Sequence, residues 1–388
     1  MLAGKKNCTG CGSCAAVCLH HCINMNQDEE GFLYPVIEKQ ACISCKLCEQ
    51  SCPVLTDNTV IRSSKTLSFA AQNKNEDIRR ESSSGGIFSA LALSVLEDGG
   101  AVCAAKYSDD YEVVHDIVTT KEDLRSFYGA KYSQSKAWHC FIRIKEMLQQ
   151  GRRILFIGTP CQVAGLKAFL NRPFKNLILI DMVCHGVPSP LVWNKYLEER
   201  RQQDADGAKI SAINLRDKST GWSNYNYSVR FDYKNGRIYS TCQQQDKFMQ
   251  GFIANLYLRP SCSRCIFKGI ERASDITLGD YWGVWMQHPK FDDNMGTSLV
   301  MIHSDKGKKV WDTVEDQFKH LVIDNDEAAQ YNPSILQSSI ASEKRETFFR
   351  GIQQEKTVSD LVQCCLSDQN NENMSIIKKI MYKVFNCR

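Results

Sequence analysis

Asn7-Cys-Thr-Gly-Cys-Gly-Ser-Cys-Ala-Ala-Val-Cys18 and Ala41-Cys-Ile-Ser-Cys-Lys-Leu-Cys-Glu-Gln-Ser-Cys-Pro53 carry one cysteine spacing, written twice. Each run reads Cys-x2-Cys-x2-Cys-x3-Cys. Three thiolates so close in sequence, with a trailing fourth, suit a compact turn wrapped around one cube of iron and sulfide. A zinc ribbon, the competing use of many cysteines, takes its ligands as separated pairs. A disulfide knot belongs to small secreted domains.

The repeated run is that of two-cluster ferredoxins, in which the fourth Cys of each run ligates the other cluster. Cys8, Cys11, Cys14 and Cys52 are therefore expected to hold one 4Fe-4S cluster, and Cys42, Cys45, Cys48 and Cys18 a second. Leu19 follows Cys18 where Pro is usual, whereas Pro53 follows Cys52.

Working outward, the chain has 388 residues, enough for two or three domains. Composition is that of a globular protein, but 19 cysteines are far above the ordinary share. The opening MLAGKKNC has no apolar leader core, and no run of about 18 apolar residues offers a membrane span. A cytoplasmic, anaerobic setting is expected, with cysteine used for metal and redox work. The formal charge of +4 counts every thiol as neutral. Two oxidised clusters of roughly −2 each cancel it, so the charge does not point to nucleic acid.

Residues 1–58 form the expected two-cluster domain, with the strand Gly31-Phe-Leu-Tyr-Pro-Val-Ile37 between the runs and a polar linker to about 66. Residues 66–150 and 151–325 read as two α/β regions, and 326–388 as a polar helical tail. In the first region, the strand Leu67-Ser-Phe-Ala-Ala-Gln72 precedes Ser82-Ser-Ser-Gly-Gly86 and an apolar helix over 87–96, with Ser84 as its expected N-cap. Gly99 and Gly100 stop that helix before a strand at 101–105, and a second helix is expected over 136–149. In the second region, the apolar run Arg153-Ile-Leu-Phe-Ile157 predicts a buried parallel strand. A helix from Cys161 to Leu170 and the strand Leu177-Ile-Leu-Ile180 complete a βαβ unit. Its two carboxyl-end turns, 158–161 and 181–186, share the sheet edge where ligands bind in such folds. Asn235-Gly236 predicts a hairpin, and strands are expected at 275–279 and 299–302. The end, Ile376-Ile-Lys-Lys-Ile-Met-Tyr-Lys-Val-Phe385, reads as a basic amphipathic segment.

Two further constellations carry chemistry. Ser83, Ser84, Gly85 and Gly86 at a helix start suit either a phosphate-bearing cofactor, most simply a flavin, or an ordinary helix start. There is neither a GxGxxG nor a GxxxxGK[ST] motif. Cys161 opens a helix, Cys184 follows the next strand, and Cys262-x2-Cys265 is a close pair, so three segments can supply four thiolates. Buried free thiols beside a small zinc knuckle are the competing reading. Arg216, Lys218 and Trp222 lie in a loop that could meet an anionic or planar ligand, and His185, beside Cys184, could donate a proton.

Ser83-Ser-Gly-Gly-Ile-Phe88, Gly129-Ala-Lys-Tyr132, Gly158-Thr-Pro-Cys-Gln162, Asp181-Met-Val-Cys-His-Gly186, Cys262-x2-Cys265 and Asp275-Ile-Thr-Leu-Gly-Asp280 follow one another in this order. In them the chain resembles the beta subunit family of coenzyme F420 hydrogenase and formate dehydrogenase, in a form with a fused N-terminal module. The resemblance implies an FAD-binding α/β subunit that moves electrons between 4Fe-4S clusters and an organic hydride carrier or a conjugated small molecule. It implies a third cluster on Cys161, Cys184, Cys262 and Cys265, and flavin contacts from Ser83, Ser84, Gly85, Gly86, Lys131, Tyr132 and Gln134. Lys131 would meet the flavin N1/O2 edge and stabilise the reduced anion. Redox partners would be a ferredoxin, a hydrogenase or a dehydrogenase subunit. The competing function is a non-catalytic electron-transfer adaptor, and a third is a zinc-binding regulator. Cys22, Cys103, Cys140, Cys242, Cys364, Cys365 and Cys387 receive no role beyond apolar filling.

Overall fold

A computed structural model describes residues 2–56, 66–354 and 356–367. The amphipathic segment expected at 376–385, Cys387 and most of the linker lie outside the described residues.

The N-terminal module is a hairpin with two cysteine turns. Strands β1 (Ile23–Gln27) and β2 (Leu33–Ile37) pair antiparallel, Ile23 opposite Ile37. The single turns Ser13–Ala16 and Leu47–Gln50 repeat each other. In both runs the residues flanking the second Cys are left-handed: Gly10 and Gly12 in the first, Ser44 and Lys46 in the second. Glycine takes that conformation freely. The first run needs it for a further reason. A Cβ on Gly12 would stand 2.4 Å from the Trp138 ring of the body. The second run is exposed at Cys45 and Lys46, and there side chains are tolerated.

The body is built on one eight-stranded sheet. Its strands are β3 (Leu67–Asn73), β4 (Ala101–Tyr107), β5 (Val113–Val118), β6 (Ile154–Gly158), β7 (Leu177–Met182), β11 (Ile276–Asp280), β12 (Ser298–Ile302) and β13 (Phe318–Ile323). Their order is β13-β3-β12-β11-β7-β6-β4-β5. The centre, β4-β6-β7-β11, is parallel, and the flanks are antiparallel. The expected mixed, partly parallel α/β body preceded by a small α+β domain is thus present. The two α/β regions interleave, however. β3 lies between β12 and β13, and β4 pairs with β6, so the 150/151 boundary falls inside one sheet. A second sheet, β8 (Ile210–Asp217), β9 (Ser228–Tyr233) and β10 (Ile238–Cys242), carries the expected hairpin at Gly236.

Helices cover the sheet. α1 (Ile87–Glu97) buries Leu91, Ala92 and Val95 completely, as its all-round apolar sequence requires. Its start is not capped by Ser84. Gly86 occupies the N-cap in the left-handed region, and the Ser84 hydroxyl instead donates to the Thr297 carbonyl on the neighbouring loop. The helix expected over 136–149 begins as a tighter turn, Ala137–Cys140, before α2 (Phe141–Gln149). α3 (Pro160–Leu170) starts with Pro at its first turn and a Thr159/Gln162 capping box. α4 (Pro190–Ala205) is capped by Ser189.

Candidate functional site

Three sets of thiols converge. Cys8, Cys11, Cys14 and Cys52 line one small cavity, closed by Met25, Pro35 and Val54. This pairs the first run with the last Cys of the second, the crossing that the spacing predicts. Burial raises the Cys11 thiol to about 12, with Cys8 and Cys52 adding to the shift, and raises Cys14 and Cys52 as well. Thiols held in this way need a cation to ionise, which a metal cluster supplies. On the outer side, Cys18 packs in a small core against which Cys42 and Cys48 lie.

The third set joins the βαβ unit to the turn Pro260–Arg264. Cys161 is placed by the first turn of α3, where its Sγ lies 3.2 Å from the Thr159 hydroxyl. Cys184 follows β7 on the same sheet edge. Cys262 is fixed by an N–H···S contact of 3.3 Å from Val187 and by its own N–H on the Arg259 carbonyl at 2.9 Å. Cys265 N–H donates to Ser338 Oγ at 3.0 Å. The Cys161 thiol faces Cys184, Cys265 and Cys262 together, and burial drives it far up. Cys184 is pushed up to about 12 by the same cause. Among the described residues, no three His, Cys, Asp or Glu side chains close on a single metal ion.

The first and third sets meet at Arg259, which is almost fully buried. Its Nε donates to the Cys8 carbonyl at 2.8 Å, its Nη2 to the Leu33 carbonyl at 3.0 Å and its Nη1 to Gln134 Oε1 at 3.2 Å. The guanidinium stacks on Tyr34 at 4.2 Å, and Nη2 is 3.8 Å from Cys8 Sγ. The docking is tight elsewhere. A Cβ on Gly165 of α3 would stand 2.8 Å from Cys11 Cβ, and Arg345 forms a two-pronged pair with Glu30. No motif in the sequence marks Arg259. Its one signal is its place three residues before Cys262.

Beyond the third set, aromatic groups lead to the Ser83–Gly86 loop. The His185 ring contacts Phe252 at 5.0 Å, and Phe252 contacts Tyr132 at 4.9 Å. Tyr132 Oη lies 3.3 Å from Arg216 Nη1, which also donates to Asp280 at 3.0 Å. Arg216 lies over Tyr227 and Trp282, and Trp282 stacks on Trp222 at 4.4 Å. Trp222 Nε1 donates to the Ser83 carbonyl at 3.2 Å. Lys218 Nζ reaches the Ser84 and Arg79 carbonyls at 2.5 Å, and burial lowers it to about 7. Arg216 Nε and Nη2 are buried with no hydrogen-bond partner in the structure, an orphan donor pair.

The expected flavin residues divide. Ser83, Ser84 and Tyr132 border this aromatic and cationic corner. Gly85 is held to β12 by its N–H on Ser298 Oγ at 2.8 Å, and its missing Cβ makes room for the Ala71 carbonyl. Lys131 donates to the carbonyls of Phe127, Tyr128 and Gly129, and burial lowers it to about 7. Its amine thus stays within its own loop. Gln134 turns to the N-terminal module, where Leu33 N–H and Arg259 donate to it. His185 Nε2 lies 2.6 Å from Asn255 Oδ1, and burial lowers its basicity. Of the cysteines without a role, Cys22, Cys103, Cys140 and Cys365 are buried, and Cys364 is exposed.

Three family descriptions match successive stretches of the chain. Residues 151–326 match the C-terminal part of the family described as the coenzyme F420 hydrogenase/dehydrogenase beta subunit. Residues 68–139 match the N-terminal part of the same family, and residues 7–55 a 4Fe-4S dicluster domain. No curated protein matches. A chain of the F420-reducing NiFe hydrogenase complex from Methanosarcina barkeri, studied by xenon derivatisation, is 18% identical, with a TM-score of 0.46 over 80% of this chain and 94% of that one. Among the described residues, no helix is long and apolar enough to cross a membrane. The chain belongs to the coenzyme F420 hydrogenase/dehydrogenase beta subunit family and carries a 4Fe-4S domain at its N-terminus.

Proposed function

We propose that the chain is a flavin-dependent iron–sulfur oxidoreductase with three 4Fe-4S clusters and one FAD, passing electrons between a redox partner protein and a small hydride carrier. The observation that carries this reading is the orphan donor pair of Arg216, buried among Tyr132, Tyr227 and Trp282 and two aromatic contacts from His185 at the third thiol set. A bound flavin would supply the conversion between single electrons and hydride, which an iron–sulfur cluster cannot perform alone.

The residues have separable tasks. Cys45 and its neighbours present the second run at the surface, where a partner can reach it. Cys8, Cys11, Cys14 and Cys52 hold the inward cluster against Arg259. Cys161, Cys184, Cys262 and Cys265 hold the third. Arg216 holds its positive charge beside Tyr132 and Trp282, where an anionic cofactor or reduced ring would gain from it, and Lys218 fixes the Ser84 carbonyl. Lys131 supports that corner by fixing the 127–131 loop, and His185 orients Phe252.

A non-catalytic electron-transfer adaptor is the second reading. It is favoured by the internal engagement of Lys131, Ser84 and Gly85. The test is an anaerobic purification and FAD reconstitution with iron, sulfide and flavin counted on one sample. Expected are about twelve irons and about one FAD per chain, four irons to each cluster. About eight irons without flavin would favour the adaptor, and zinc in place of iron would remove both readings.

A further inference from the structure

A thiol outside the two cysteine runs, Cys22, stands beside Cys18, Cys42 and Cys48. Cys22 Sγ lies 3.3 Å from Cys18 Sγ. The two share a small core with Cys14 and Ile23, and Cys42 and Cys48 pack against it. Cys22 is buried, with 3% of its surface exposed. The backbone is bent to bring it there. Leu19 stands where Pro is usual, His21 adopts a left-handed φ of 49°, and its N–H closes the turn on the Cys18 carbonyl at 3.0 Å. A non-glycine residue in that region is strained, so the turn is held by its surroundings. β1 then begins at Ile23, and Glu38 N–H fixes the Cys22 carbonyl at 2.8 Å.

Resting on the reading that Cys18, Cys42, Cys45 and Cys48 ligate a 4Fe-4S cluster, we infer that Cys22 is a reserve ligand of that cluster, able to replace Cys18. The exchange breaks one Fe–S bond at Cys18 and forms one at Cys22. The Cys22 proton passes across the 3.3 Å contact to the released Cys18 thiolate, and no electron moves. At an exposed cluster this keeps four protein thiolates in place when one bond opens, the step by which oxygen or a chelator removes iron.

The test uses the full chain purified anaerobically, with iron content and the EPR signal of the reduced protein as readouts. Cys18→Ala is expected to keep the wild-type iron content with an altered EPR signal. Cys18→Ala/Cys22→Ala is expected to lose about four irons, one cluster's worth. Loss of about four irons from Cys18→Ala alone, or full retention by the double variant, overturns the inference. Cys22→Ala retains all four usual ligands and so provides a second measurement. Its iron should pass to a ferrous chelator several-fold faster than wild-type iron, and an unchanged rate also counts against the role. A wild-type chain that holds no iron at this position would instead remove the reading on which the inference rests.

Discussion

Arg216 and Arg259 show how one residue type serves two ends. Arg259 has its donors satisfied by Cys8, Leu33 and Gln134, and its body stacked on Tyr34, so it joins two thiol sets. Replacing it with Met leaves those carbonyls buried and unpaired, a loss of about 2–4 kcal/mol. The Arg259→Met chain should also lower the midpoint potential of the inward cluster, read by potentiometric EPR, because a positive charge beside Cys8 favours the reduced form. Arg259→Lys should recover part of the potential, which a merely structural role does not predict. Arg216 has two donors left over. Arg216→Met is therefore expected to weaken FAD binding about ten-fold or more by fluorescence titration, for one lost charged hydrogen bond. Unchanged affinity would move the flavin elsewhere. Two histidines set an acid limit. Burial lowers His115 to about 4 and His303 to about 3. Between pH 6.5 and 4 the unfolded chain binds protons that the folded chain refuses, so stability falls as pH drops through that window. His303→Gln should lose about 2 kcal/mol less than wild type between pH 7 and pH 5, measured by denaturant unfolding.

At the scale of elements, the parts readable from sequence are those in which local pattern and burial agree. β6 and β7 are continuous apolar runs because both faces are covered, and Pro160 with Thr159 marks the start of α3. The cysteine turns were readable because ligand spacing is itself local. The aromatic and cationic corner beside Ser83 was readable only in part. Ser83, Ser84 and Tyr132 border it, but Lys131 and Gln134 are drawn away by other partners, Gln134 by groups distant in sequence, and no local pattern encodes that choice. Ser84 failed as an N-cap for the same reason, since Thr297 beside β12 claims its hydroxyl. β5 and β13 were missed because each is an edge strand with mixed polarity. The contact between α3 and the first cysteine turn gives a test of its own. Gly165→Val should push Cys11 away and reduce iron at the inward cluster while α3 remains helical by circular dichroism. Retained iron would mean that the module tolerates a looser seat.

Over the whole molecule, the interleaving of the two α/β regions puts three functions on one frame. β6 and β7 end at Gly158 and Met182, shortly before Cys161 and Cys184, β11 ends at Asp280 beside Arg216, and β3 leads to Ser83. The N-terminal module docks on α3 and Arg259, so its inward turn faces the third set and its outer turn faces solvent. In the electron path proposed above, the thiolates of Cys161, Cys184, Cys262 and Cys265 stand between the N-terminal module and an FAD bound beside Arg216. The most direct measurement is rapid-mixing spectroscopy of the FAD-reconstituted chain with a reduced ferredoxin, comparing wild type with Cys161→Ala. In the variant, normal bleaching of the N-terminal iron–sulfur absorbance is expected, with flavin reduction slowed by about a hundred-fold or more, a barrier increase of about 2.7 kcal/mol. Flavin reduction at the wild-type rate in Cys161→Ala would contradict that path.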